Sequence, residues 1–126
     1  MNDVKKRMTQ PEVMKTKAYV SGAETLNGHD VWELFKACAV GDVPKAKALL
    51  AKDRRLINAE YVYRYPIDLA VRSGCAEIVK LLLDQGAKTG GFQLHTSRER
   101  GHRSVEKVLL RAMKKTGIIT RPISMN

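Results

Sequence analysis

The chain has 126 residues, of which 44% are apolar but only 6% aromatic. That is the length of one domain, and a core that must be aliphatic favours helix-on-helix packing over a sandwich or barrel. The net charge of +10, from 23 basic and 13 acidic side chains, suits an acidic protein, nucleic acid or an anionic surface as partner, and serves solubility equally well. Two cysteines, Cys38 and Cys75, make no disulfide framework. No stretch approaches the roughly 18 apolar residues of a membrane span. The charged start Met1-Asn2-Asp3-Val4-Lys5-Lys6-Arg7-Met8 is followed by no apolar run, unlike a signal peptide. The expectation is an intracellular, cytoplasmic protein. Lys5-Lys6-Arg7 is short for a nuclear signal and reads as a solvated terminus. Charge is uneven along the chain: residues 95–126 carry eight basic and two acidic side chains.

In chain order, residues 1–29 show no sustained periodicity and are broken by Pro11, Gly22 and Asn27-Gly28. They are expected to form an irregular leader, whose Val13, Met14, Tyr19 and Val20 have the character to dock on a domain. From Asp30 the pattern turns helical. Asp30 is an N-cap residue with Glu33 three positions on, and Val31, Leu34, Phe35 and Cys38 recur at helical spacing. Gly41 ends this helix. Asp42 caps the next, with Pro44 in its first turn and Ala46, Leu49 and Leu50 as its apolar face. A tyrosine-rich connector over 57–65 leads to a second pair, Ile67 to Ser73 and Ala76 to Leu83, split by Gly74. A third pair is predicted from about Leu94 to Arg100 and from Ser104 to about Lys115, split by Gly101. Gly117 and Pro122 make the remainder a tail.

The inter-helix glycines set a period. Gly41 and Gly74 are 33 residues apart, and Gly74 and Gly101 are 27 apart. Ala48-Leu49-Leu50, Leu81-Leu82-Leu83 and Val108-Leu109-Leu110 stand at equal distances from them. This is an internal repeat of two-helix units, each needing neighbours to bury its apolar face. The chain resembles the ankyrin-repeat family, whose signature is Thr-Pro-Leu-His-x-Ala. Tyr65-Pro66-Ile67-Asp68-Leu69-Ala70 occupies that signature, and Gly74, Ile78, Val79 and Gly86-Ala87 complete it. The last repeat keeps Leu94-His95 and Gly101-His102; the first keeps Ala37, Gly41-Asp42 and Leu49-Leu50. The resemblance implies an all-α solenoid of stacked helix-turn-helix pairs with finger loops. Its domain would be 30–115, with repeats at about 30–57, 58–90 and 91–115, between the leader 1–29 and the tail 116–126. Thr96-Ser97-Arg98 make the last inner helix polar where a fourth repeat would sit, as a capping repeat requires.

No catalytic set is visible. His29, His95 and His102 pair with no cysteine at zinc-binding spacing. There is no Gly-x-Ser-x-Gly and no phosphate-binding glycine loop. No cofactor or metal is expected. By the resemblance, His95 would tie adjacent connectors. The family places its partner, another protein, along finger loops and the concave face of the inner helices. Carried over by position, that points to Tyr61, Tyr63 and Arg64 on the loop, and to Lys36, Asp68, Arg72 and Arg98 on the inner helices. Tyrosine and arginine often anchor interfaces. Val62 alternates with Tyr61 and Tyr63, which predicts opposite facing. Tyr65 is expected to pack on the neighbouring inner helix. The alternative is polyanion binding by the last helix, where Arg103, Lys107, Arg111, Lys114 and Lys115 span about 120° of the circumference.

Overall fold

The computed structural model describes residues 8–115. The tail 116–126 and the Lys5-Lys6-Arg7 segment lie outside the described residues. Six α-helices form three hairpins: α1 (Gly28–Val40) with α2 (Val43–Lys52), α3 (Pro66–Ser73) with α4 (Ala76–Asp84), and α5 (Gly91–Glu99) with α6 (Arg103–Lys115). Within each hairpin the turn glycine is left-handed: Gly41, Gly74 and Gly101 have φ of 78°, 80° and 71°. Side chains with a Cβ resist that region, which is why the repeat period is written in glycine. The inner helices α1, α3 and α5 stack in one row, and the outer helices α2, α4 and α6 in another.

The core runs between the rows. Val31, Leu34, Ala46, Ile67, Ala70, Ile78, Leu82, Val105 and Leu109 are essentially solvent-free. The expected small residues sit where inner helices approach: Ala37 and Ala70 are buried, and the Ser73 hydroxyl donates across the gap to the Cys38 carbonyl (3.0 Å). Cys38 is itself buried, and burial pushes its thiol far above the ordinary range, with nearby Cys75 adding to the effect. It is an inert core residue.

The leader departs from the irregular segment that the sequence suggests. Glu12–Met14 form a 3-10 turn, and β1 (Tyr19–Ser21) pairs antiparallel with β2 (Glu24–Leu26). Met14, Tyr19 and Leu26 enter the core. The Tyr19 hydroxyl donates to the Glu60 carbonyl (2.6 Å) and the Ser21 hydroxyl accepts from the Glu60 N–H (2.9 Å). The leader thus covers the face of the first hairpin that a preceding repeat would occupy. This docking also moves the start of α1. The cap is Asn27, whose side chain accepts from the Asp30 N–H (3.1 Å), and Asp30 instead pairs with Lys52 (2.9 Å). Gly28 fits because nothing larger would: its N–H donates to the Thr16 carbonyl (2.7 Å), and a Cβ there would meet the backbone of Met14 and Thr16.

The last inner helix also begins early, at Gly91 rather than near Leu94. The Gly-Gly pair reads as a break, yet Gln93 accepts from the Gly90 N–H (2.9 Å) and caps the helix from its third position. Gln93 also supplies the inter-repeat tie expected of His95. Its Nε2 donates to Asp68 Oδ1 (2.8 Å), while Asp68 Oδ2 accepts from the Tyr65 N–H (2.8 Å). His95 is exposed and lies near Glu99 (3.7 Å). At the other end of the hairpins, His102 does a comparable job. Its ring N–H donates to the Arg72 carbonyl (3.1 Å) and its face closes on Gly74, where a Cβ would come within 2.7 Å of the ring.

Candidate interaction surface

The connector between the first two hairpins turns on Tyr61-Val62-Tyr63-Arg64. Tyr61 and Arg64 exchange both backbone hydrogen bonds (2.9 and 3.0 Å), so Val62 and Tyr63 are the central residues of a two-residue hairpin turn. Their φ values are 51° and 62°, the type I′ geometry that normally selects Asn-Gly. A β-branched residue in this region is an outlier. Both side chains project: Val62 is 66% and Tyr63 89% exposed. Tyr61 turns inward against the core. The expected alternation fails because the segment is a tight turn and not an extended strand.

Two contiguous depressions lie beside this turn on the inner-helix side. The first, of about 460 Å³, is apolar. It is lined by Met8 and Pro11 of the leader, Trp32 and Phe35 of α1, Leu69 of α3 and Tyr61 of the turn. Lys36 lies 6.0 Å from the Trp32 ring centre and pairs with Glu33 (3.1 Å). The second, of about 260 Å³, lies between α3 and α5 and is lined by Arg72, Arg100, His95 and Glu99. Arg64 lines both. Among the described residues, Arg64, Arg72 and Arg100 make no ion pair, unlike Lys45, Arg55, Lys80 and Arg98 elsewhere on the surface.

Tyr63, Arg64, Lys36 and Arg72 therefore lie on or beside one face. Two other residues carried over from the resemblance are engaged within the chain. Asp68 lines the second depression but is 5% exposed, and both its oxygens are taken by Tyr65 and Gln93, so it holds repeats together. Arg98 bonds Glu106 of α6 (2.9 Å) and belongs to the polar end of the stack. Tyr65 is 39% exposed, since it sits at the N-cap of α3 and not under a neighbour. Sequence reasoning missed Trp32, Leu69 and Arg100. Trp32 lies off the apolar row of its helix and Leu69 stands only as a signature residue, and the leader that makes their surroundings a groove carries no periodic signal. On α6, Arg103, Lys107, Arg111, Lys114 and Lys115 are all exposed, while Val105, Leu109 and Met113 are buried. Among the described residues there is no group of three or more metal-ligating side chains, and no helix is long and apolar enough to cross a membrane.

Stacked helical hairpins joined by a finger turn define a helical-repeat protein, a class that presents an extended surface and not an enclosed pocket. The family model for the ankyrin repeat matches residues 63–89, from the finger turn through α3 and α4, so the chain carries an ankyrin repeat there. Such repeats are in general protein–protein interaction modules without catalysis. Comparison with curated proteins and with solved structures gave no match.

Proposed function

We propose that this chain is a non-catalytic recognition module whose protein partner lies along the Tyr61–Arg64 turn and the exposed side of the inner helices. On this reading residues 30–115 are the recognition domain and the leader is its N-terminal cap. Tyr63, Arg64, Lys36 and Arg72 contact the partner, with Tyr61 supporting the turn from below. The single observation that carries the proposal is the turn itself. Holding Val62 and Tyr63 at positive φ costs roughly 1–3 kcal/mol per residue, and the two side chains recover little of it by burial. Stability alone would replace them, so exposure of these apolar groups is maintained for contact. The test is affinity capture from the native source after nuclease treatment, comparing the parent with Val62→Ala/Tyr63→Ala. Proteins retained by the parent should be lost from the variant; equal retention refutes the assignment.

A second reading has its own observation. The five exposed cations of α6 have no acidic partner among the described residues, and such a face can follow phosphates without reading sequence. Heparin binding that falls steeply with salt, and that disappears in Arg103→Glu/Lys107→Glu/Arg111→Glu, would support it.

A further inference from the structure

The two depressions beside the finger turn differ in chemistry but share a wall. One is apolar, built from Trp32, Phe35, Leu69 and Tyr61 and closed on one side by Met8 and Pro11. The other carries Arg72 and Arg100, and Arg64 stands between them. The charges facing these two sites are Lys36, neutralised by Glu33; Asp68, whose oxygens are both taken by hydrogen bonds; Glu99, near His95; and three guanidiniums without an ion pair among the described residues. The balance is cationic, and it sits beside an apolar groove left open among the described residues.

Resting on the recognition reading above, we propose that the partner is an acidic peptide segment with one apolar anchor. The anchor seats between Trp32 and Leu69, and aspartate or glutamate side chains reach Arg64, Arg72 and Arg100. The spacing follows from the stack. The groove lies between α1 and α3 and the cationic depression between α3 and α5, one inter-helix step of about 8–10 Å away. An extended peptide rises about 3.3 Å per residue, so the acids fall about three residues from the anchor. Guanidinium forks match carboxylates in two-point contacts and are weakly hydrated, which suits them to this role over lysine. Charge complementarity also argues against the chain's own start as occupant, because Lys5-Lys6-Arg7 would meet like charge.

Trp32 is the only tryptophan and lines the groove, so its fluorescence reports occupancy directly. The probe is a blocked peptide with one phenylalanine followed, about three and four residues later, by two glutamates. Titration into the full chain should shift Trp32 emission saturably, with a Kd below about 100 µM. Arg72→Glu with Arg100→Glu should weaken it at least tenfold while leaving helical circular dichroism intact. Replacing the glutamates by lysines should weaken it as much, and Arg103→Glu/Lys107→Glu/Arg111→Glu should not change it. The proposal is overturned if the lysine peptide binds as well, if the arginine variant binds normally, or if only the α6 variant loses binding. It is also overturned if emission responds to protein dilution, making a second copy the occupant, or to deletion of residues 1–7, making the chain's start the occupant. If the peptide fails while Val62→Ala/Tyr63→Ala still loses captured proteins, the acidic chemistry falls and the recognition surface stands.

Discussion

Replacing Val62 by Asn and Tyr63 by Gly should make the protein more stable and worse at binding. The turn that joins Tyr61 to Arg64 has both central residues at positive φ, and Asn-Gly is the pair that this geometry prefers. Left-handed backbone costs an ordinary residue roughly 1–3 kcal/mol, more for a β-branched one such as Val62. Asn tolerates the region and Gly is indifferent to it. Against this, glycine loses about 0.5–1 kcal/mol more conformational entropy on folding. The side chains removed are 66% and 89% exposed, so little burial is forfeited. For the two residues together the net expectation is a gain of about 1–5 kcal/mol. At several degrees of Tm per kcal/mol for a domain of this size, thermal unfolding followed by circular dichroism resolves it easily. Capture of the partner should fall in the same variant, because the tip that contacts it has gone. A melting temperature that stays level or drops would refute the reasoning, since it would mean that Val62 and Tyr63 do not hold the turn under strain.

Four further outcomes are expected. Leu82→Ala should cost about 2–5 kcal/mol, read from urea unfolding, because Leu82 is fully buried in the central hairpin; a loss under 1 kcal/mol would contradict the stacking. Gly28→Ala should release the leader, since its Cβ would fall within 2.8 Å of the Thr16 carbonyl, and limited proteolysis should then cut before Asn27 while the repeats survive. Gln93→Ala should destabilise by roughly 1.5–3 kcal/mol, because it strips a hydrogen bond from a buried carboxylate, and Asp68→Asn should be better tolerated beside it than with Gln93 intact. Tyr19 has a phenol whose pKa is raised by burial, with Tyr61 and Glu60 adding. Its contribution is complete below the ordinary value near 10 and is lost as pH rises through the higher folded value. Tyr19→Phe should therefore flatten the fall of Tm on the alkaline side while lowering it at neutral pH.

The repeat was legible because its determinants are local. Gly41, Gly74 and Gly101 each close a hairpin, and the leucine rows fall at fixed distances from them, so period and helix order follow from the sequence. What escaped is what arises between distant segments. Asn27-Gly28 reads as a turn until the Thr16 carbonyl is seen accepting from the Gly28 N–H. Gly90-Gly91 is the local exception: it reads as a break although Gln93, three residues on, caps it. Asp68 stands at a position that the resemblance exposes, but the shorter connector between the second and third hairpins brings Gln93 onto it. His95 kept the expected residue type and lost the expected role for the same reason: α5 gained its first turn from residues ahead of the signature. The groove escaped altogether, since one of its sides comes from a leader without periodicity.

These exceptions explain how so short an array holds together. An ankyrin-type hairpin cannot bury its own apolar face, and about three are a minimum. Here the connector between the second and third hairpins is six residues shorter by the glycine spacing, which leaves less of a finger to tie them. The losses are offset at the two ends by different means. At the start, Met14, Tyr19 and Leu26 supply the apolar cover of an absent repeat. In the last hairpin Ser97, at the position of Ala37 and Ala70, is buried in the core and not on the outer face that the sequence suggests; its hydroxyl donates to the Leu94 carbonyl (2.8 Å), while the exposed Arg98 bridges to Glu106. The asymmetry has a functional consequence. The N-terminal cover is a folded leader and not another hairpin. Its Met8 and Pro11 line the apolar groove together with Trp32, Leu69 and the finger turn. The device that stabilises the first repeat is therefore also the one that shapes the surface on which recognition is proposed.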